Sequence, residues 1–274
     1  MRQEEVPAGV TAIVSALQAR PARHLLLMLD FDGTLVDLAP TPLAAALPAT
    51  LRDVLAGLVA RPDVTVAIVS GRRLADVRSK VGIAHGLYFA GTHGMEIEGG
   101  GGTFLHDGLR RGRATIATLF ERAAEEVAGL AGVAVEDKEY SFVLHTRQAA
   151  PLIKAEATRA VTAIVRPHEA TGVVRIQPGS EMLEVLPNVS WNKGDAVRWI
   201  VRRVAAPHRP VCAMYVGDDV TDEDALAALP PDGIGVVVGA RPSIATFRLE
   251  NPHAVEALLR MLLAMPARPV RRTA

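Results

Sequence analysis

Apolar positions along the chain follow two regimes. Val10, Ile13, Val14 and Leu17 recur at helical spacing and predict a short amphipathic helix. A continuous apolar run then leads from His24 to Leu29 and stops at Asp30, as expected for a strand buried on both faces of a parallel sheet. A helix is predicted over 49–60. A second buried strand, 64–69, ends at Ser70-Gly71, and another helix begins near Leu74. The short run 87–90 is closed by Gly91. Strands alternating with helices predict a doubly wound α/β core.

The pattern changes after the glycine-rich turn 98–103. Here it reads helix (111–130), two strands (133–138 and 141–146), a helix opened by Pro151 (to Val165), and two more strands (173–177 and 181–186). That is an α+β module. The α/β alternation resumes with a helix over 195–204, a buried strand over 211–216, a helix over 222–228 and a strand over 235–238. The reading is therefore a Rossmann-like core, residues 1–106 and 184–274, interrupted by an inserted α+β domain, residues 107–183.

Composition narrows the function. The chain has 274 residues, 30 basic and 30 acidic, with a formal net charge of zero. Such a balance gives no electrostatic reason to expect nucleic acid or an anionic membrane as partner, so a small molecule captured by local charge is expected. No apolar run approaches the roughly 18 residues of a membrane span. Glu4 and Glu5 beside Arg2 do not fit a secretory signal, and Cys212 is the single cysteine, so a cytoplasmic setting with no intrachain disulfide is expected. Cys212 reads as a buried inert thiol, and the basic tail after Pro266 as a fraying end.

Four segments carry candidate chemistry, each at a strand end or helix start. Asp30-Phe31-Asp32-Gly33-Thr34 follows the first strand and places two carboxylates where open α/β sheets bind ligands. Taken alone, the pair also fits a solvated acidic turn or the metal-binding pair of a glycosyltransferase. Ser70-Gly71-Arg72 offers a hydroxyl and backbone N–H groups to phosphate oxygens. Lys193, in Trp191-Asn192-Lys193-Gly194-Asp195, can neutralise a nucleophile and a phosphate together. Gly217-Asp218-Asp219-Val220-Thr221-Asp222 crowds acids after a buried strand, where they would repel one another without a cation. Oxygen-only donors favour Mg²⁺. Glu223 and Asp224 read as helix N-terminal charges instead.

Together, Asp-x-Asp-Gly-Thr, then Ser, then Lys, then Gly-Asp-Asp-x₃-Glu resemble the signature of the haloacid-dehalogenase superfamily. The resemblance implies a Rossmann-like core with an α+β cap between the Ser and Lys motifs. The chain further resembles the trehalose-6-phosphate phosphatases, in Val69-Ser70-Gly71-Arg72, Gly91-Thr92-His93-Gly94-Met95-Glu96, Glu136-Asp137-Lys138, His145-Thr146-Arg147, Asn192-Lys193-Gly194 and the 217–223 segment. It departs from that pattern at Thr146, Ser180 and Leu186, where the family often has Tyr, Lys and Arg.

The resemblance implies a Mg²⁺-dependent phosphatase that hydrolyses trehalose 6-phosphate to trehalose and phosphate through an aspartyl-phosphate intermediate, with a functional link to a trehalose-phosphate synthase. Asp30 is the expected nucleophile and Asp32 the acid/base. Mg²⁺ is expected on Asp30, the Asp32 carbonyl and Asp218, with Asp222 and Asp219 orienting Lys193 or metal-bound water. Ser70 and Lys193 are expected to hold phosphate oxygens. Substrate binding falls to Arg72, His93, Gly94, Glu96, Lys138, Arg147 and Glu184. For His145 and Arg175 a structural role is equally open. Other glycosyl phosphates (sucrose 6-phosphate, glucosylglycerol phosphate), a sugar phosphomutase, and a non-catalytic domain sensing sugar phosphate for a synthase are the competing readings.

Overall fold

The computed structural model describes residues 7–21, 24–38, 45–179, 181–206 and 210–267. Ser180 and the tail beyond residue 267 lie outside them. The described chain forms two compact units, one of residues 105–190 and one of the remainder.

The larger unit is built on an eight-stranded sheet. Its strands are β1 (His24–Leu29), β2 (Val64–Val69), β3 (Leu87–Gly91), β4 (Glu96–Gly99), β5 (Gly102–Leu105), β10 (Val211–Gly217), β11 (Ile234–Val238) and β12 (Phe247–Leu249). The spatial order is β12-β11-β10-β1-β2-β3-β4-β5. Neighbours from β12 to β3 are parallel, and β4 turns antiparallel to β3. Strand order therefore reverses between β1 and β10, which opens a crevice beyond their carboxyl ends. Asp30 follows β1 there, and Asp218 follows β10.

The apolar run of β1 serves two cores at once, because successive side chains point to opposite faces. Leu25, Leu27 and Leu29 join a cluster with α1 (Ala8–Gln18), α2 (Ala49–Val59), α3 (Leu74–Val81) and α8 (Pro252–Ala264). Leu26 and Met28 face the other way, toward α6 (Lys193–Ala205) and α7 (Asp222–Ala227). With both faces covered, the sheet exposes mainly its strand ends, and that is where the polar motifs sit.

The smaller unit carries α4 (Asp107–Glu126), β6 (Ala134–Asp137), β7 (Phe142–His145), α5 (Pro151–Ala170), β8 (Val174–Gly179) and β9 (Met182–Pro187). Its antiparallel sheet has the order β6-β7-β9-β8. Phe142, Leu144, Leu183 and Val185 bury one face against α4 and α5. The unit extends past the boundary expected at 183. β9 pairs with both β7 and β8, so a cut there would split a central strand, and the chain leaves this unit only after Ser190.

Candidate active site

The loop after β1 owes its shape to Gly33. Its φ is +79°, and a Cβ there would lie 2.1 Å from an Asp218 carboxylate oxygen. Only glycine lets the acidic segment after β10 approach so closely. Gly33 N–H donates to the Val36 carbonyl (2.7 Å), which closes the turn, and the Thr34 hydroxyl donates to Asp218 Oδ1 (3.2 Å).

Asp30 is buried, as are Lys193 and Asp222. Lys193 Nζ donates to Asp30 Oδ1 (2.8 Å) and to Asp222 Oδ1 (2.6 Å), linking the first and last motifs. A capping box starts α6, with Asn192 accepting from the Asp195 N–H and Asp195 from the Asn192 N–H, and it fixes Lys193 at the first helical position. Asp222 also accepts from the Tyr215 hydroxyl (2.6 Å) and the Asp219 N–H (2.9 Å). Neither Tyr215 nor Thr34 was singled out from the sequence. Tyr215 lay inside an apolar run and Thr34 inside a motif read for its acids.

Burial raises the Asp30 pKa well above the ordinary carboxylate value; Lys193 opposes this, while Asp222 and Asp218 add to it. Asp218 is pushed up to about 6 by burial and then by Asp222. Burial pulls the Lys193 ammonium down, but Asp222 and Asp30 outweigh it, so the pKa is raised. For Asp219 burial works against ionisation, yet the Val220 N–H and Thr221 hydroxyl prevail and hold its carboxyl low. Its carboxylate accepts from Thr221 (3.0 Å). Glu223 reaches Arg241 and the Ile244 N–H, serving the 241–244 loop.

Asp30, Asp218 and Asp222 each bring a carboxylate oxygen within 4.8 Å of the others. One ammonium, Lys193, stands against these three acids. The excess negative charge, the oxygen-only donors and the raised Asp30 and Asp218 fit a hard divalent cation.

Ser70 follows β2 beside Asp30, and its Oγ accepts from the Arg72 N–H (3.1 Å). The Arg72 guanidinium grips Asp32 through Nε to Oδ2 (2.6 Å) and Nη2 to Oδ1 (2.7 Å), and Asp76 through Nη1 (2.8 Å). Arg72, expected to bind substrate, is thus engaged with the expected acid/base.

Thr92, His93 and Gly94 all have positive φ: 48°, 55° and 88°. Each such non-glycine residue costs about 1–3 kcal/mol and persists where surroundings enforce it. Here the Thr92 N–H donates to the Arg72 carbonyl (2.7 Å) and the His93 N–H to the Ser70 carbonyl (3.0 Å). The imidazole lies against Gly71, where a Cβ would meet His93 Cε1 at 2.8 Å. The Thr92 hydroxyl donates to Glu96 (2.5 Å). His93, Gly94 and Glu96 are therefore brought beside the Ser70–Arg72 turn.

In the smaller unit, Glu184 is buried and accepts from Ser141 Oγ (2.9 Å) and Lys138 Nζ (3.4 Å). Arg147 is exposed beyond the far end of β7, beside the Glu181 turn. Lys138 and Glu184 come together and Arg147 does not join them. His145 pairs with Glu136 (2.8 Å).

Paired acids after β1, a hydroxyl after β2, a lysine opening α6 and acids after β10, all on one edge of a doubly wound sheet, define a haloacid-dehalogenase-type core. The trehalose-phosphatase family model matches residues 28–253. The trehalose-phosphate phosphatase of Mycobacterium tuberculosis is 35% identical over 282 residues, covering 97% of this chain and 69% of that protein. An uncharacterized glycosyl hydrolase of the same species is 37% identical over 273 residues, covering 93% of this chain and 20% of that longer protein. The C-terminal domain of the C. albicans trehalose-6-phosphate phosphatase shares the fold, with a TM-score of 0.77 at 21% identity, covering 96% of this chain and 100% of that one. The chain belongs to the trehalose-phosphatase family. Among the described residues no helix is long and apolar enough to cross a membrane.

Proposed function

We propose that this chain hydrolyses trehalose 6-phosphate to trehalose and phosphate through a phosphoenzyme on Asp30. Family membership supports the substrate. The observation that carries the chemistry is the buried Asp30–Lys193–Asp222 chain beside Asp218. Lys193 fixes the rotation of the Asp30 carboxylate and opposes the rise in its pKa that burial causes. An oxygen of Asp30 attacks phosphorus as the bond to the sugar C6 oxygen breaks, and Asp32 donates a proton to that leaving oxygen. Asp32 then takes a proton from water as the water attacks the phosphoenzyme, releasing phosphate and restoring Asp30. Ser70 and Lys193 hold phosphate oxygens throughout.

Mg²⁺ is the cation this reading requires, held by Asp30, Asp218 and the Asp32 carbonyl; when bound it offsets the charge of the acids and the transferring phosphoryl group. Asp222 already accepts from Lys193, Tyr215 and the Asp219 N–H, so its role is to position Lys193 and water rather than to replace these donors. Sugar hydroxyls fall to His93, Gly94 and Glu96 in the core and to Lys138, Glu184 and Arg147 in the cap. A trehalose-phosphate synthase is the expected supplier of substrate.

The test is phosphate release from trehalose 6-phosphate, glucose 6-phosphate, sucrose 6-phosphate and glucosylglycerol phosphate. The first should lead in kcat/KM by about a hundredfold, roughly 2.7 kcal/mol of discrimination. Equal turnover of glucose 6-phosphate would remove the substrate assignment. Isomerised sugar phosphate without phosphate release would indicate a mutase.

A further inference from the structure

Trp191 sits where the chain re-enters the core, and Phe104 is the last core residue before the chain leaves. Their rings stack with centroids 4.7 Å apart and 26° between planes. The stack pins the two crossing points together and aims the indole edge at one target: Trp191 Nε1 donates to the Gly94 carbonyl (2.8 Å). Gly94 closes the left-handed turn that holds the His93 ring against Gly71. On the turn's other side α6 leaves no slack, because a Cβ on Gly94 would lie 2.4 Å from the Ala196 Cβ. A sterically costly conformation is thus held from three sides: the Ser70 and Arg72 carbonyls, the Ala196 methyl and the Trp191 indole.

We propose that Trp191 is a positioning residue for substrate recognition, fixing His93 through the Gly94 carbonyl, with Phe104 as the ring that orients the indole. The proposal rests on the reading that His93 contacts the sugar. It places the control point at the junction through which the chain passes to the cap. Lys193, only two residues on, is held independently by the Asn192–Asp195 capping box and its two carboxylate partners. Loss of the indole bond therefore loosens recognition and spares the phosphoryl-transfer groups.

Trp191→Phe keeps a ring for the stack and deletes the N–H. In this variant, amide exchange at His93 and Met95, which donate to Ser70 and Thr92, should speed about tenfold. KM for trehalose 6-phosphate should rise about tenfold with kcat within about twofold, while kcat/KM for p-nitrophenyl phosphate stays within about twofold. Phe104→Leu, which frees the indole without removing it, should move exchange and KM in the same direction by less. Unchanged exchange in Trp191→Phe would overturn the proposal, as would an equal loss on both substrates, which marks a merely structural role. If the unaltered enzyme releases no phosphate from trehalose 6-phosphate, the substrate reading has failed, and the exchange comparison alone decides whether Trp191 holds the turn.

Discussion

Arg72 holds both carboxylate oxygens of Asp32, at 2.6 and 2.7 Å, while its backbone N–H holds the Ser70 hydroxyl at 3.1 Å. A carboxylate gripped by a planar fork is well placed but not free to hand over a proton, so turnover must open at least one of these bonds. Arg72→Lys, which keeps the charge and loses the fork, should lower kcat about tenfold or more with the fold intact. Arg72→Ala should lower it further. Steady-state phosphate release checks both, and a wild-type kcat in Arg72→Lys would show that the grip on Asp32 has no part in turnover.

Asp32→Asn removes the proposed proton carrier and should cost about 10²–10⁴ in turnover of a sugar phosphate. A p-nitrophenolate leaving group needs no proton, so formation of the phosphoenzyme from p-nitrophenyl phosphate should suffer less than its hydrolysis. A burst of nitrophenolate followed by slow steady state is the expected record. Equal slowing of both phases would contradict the assignment.

The raised Asp218 predicts how metal-free protein responds to pH. Burial and then Asp222 push its carboxyl up to about 6 in the folded chain from 3.8 ordinarily. Between these values the folded state holds a proton that the unfolded state has lost, so the stability Asp218 contributes falls as pH rises from about 4 to about 6 and its loss is complete above that. Asp30 shifts in the same direction. A cation replaces the lost proton, so Mg²⁺ at a hundred times its pH 7.5 Kd should stabilise the fold by about 2.7 kcal/mol at pH 7.5, and the same concentration should raise Tm less at pH 5. Calorimetry with and without EDTA measures it. A larger gain at pH 5 would mean that the acids do not meet the metal.

Much of this site was legible because its parts are local. Asp30, Ser70 and Asp218 each stand directly after an apolar run, and the end of a buried strand can be read from the sequence without knowing its neighbours. What the motif residues do to each other was not legible. Arg72 turning to Asp32 and Tyr215 to Asp222 are contacts across the fold, 40 and 7 residues apart, and no spacing rule encodes them. β12 has three residues, too few to show a period. α8 could have been read: Asn251 caps it, Pro252 opens it, and Val255, Leu258, Leu259 and Leu262 recur at helical spacing. The cap boundary was placed too early because the apolar run of β9 marks a strand but does not reveal its partners.

In the cap unit, Glu184→Ala strands the Ser141 hydroxyl and Lys138 ammonium that it now accepts from. The expected hundredfold preference for trehalose 6-phosphate should shrink to about tenfold or less, with hydrolysis of p-nitrophenyl phosphate nearly unchanged. Arg147→Ala, at an exposed site away from this pair, should have the smaller effect. Reversal of that order in kcat/KM would move sugar recognition to the far end of β7.

The account stands or falls on the residue that takes the phosphoryl group. Acid quench of enzyme turning over trehalose 6-phosphate with Mg²⁺, followed by borohydride reduction, converts an aspartyl phosphate to homoserine, which peptide mass spectrometry can locate. Homoserine at position 30, dependent on both substrate and metal and absent from Asp30→Asn, is the predicted result. Homoserine at another aspartate, or phosphate release undiminished in Asp30→Asn, would contradict it.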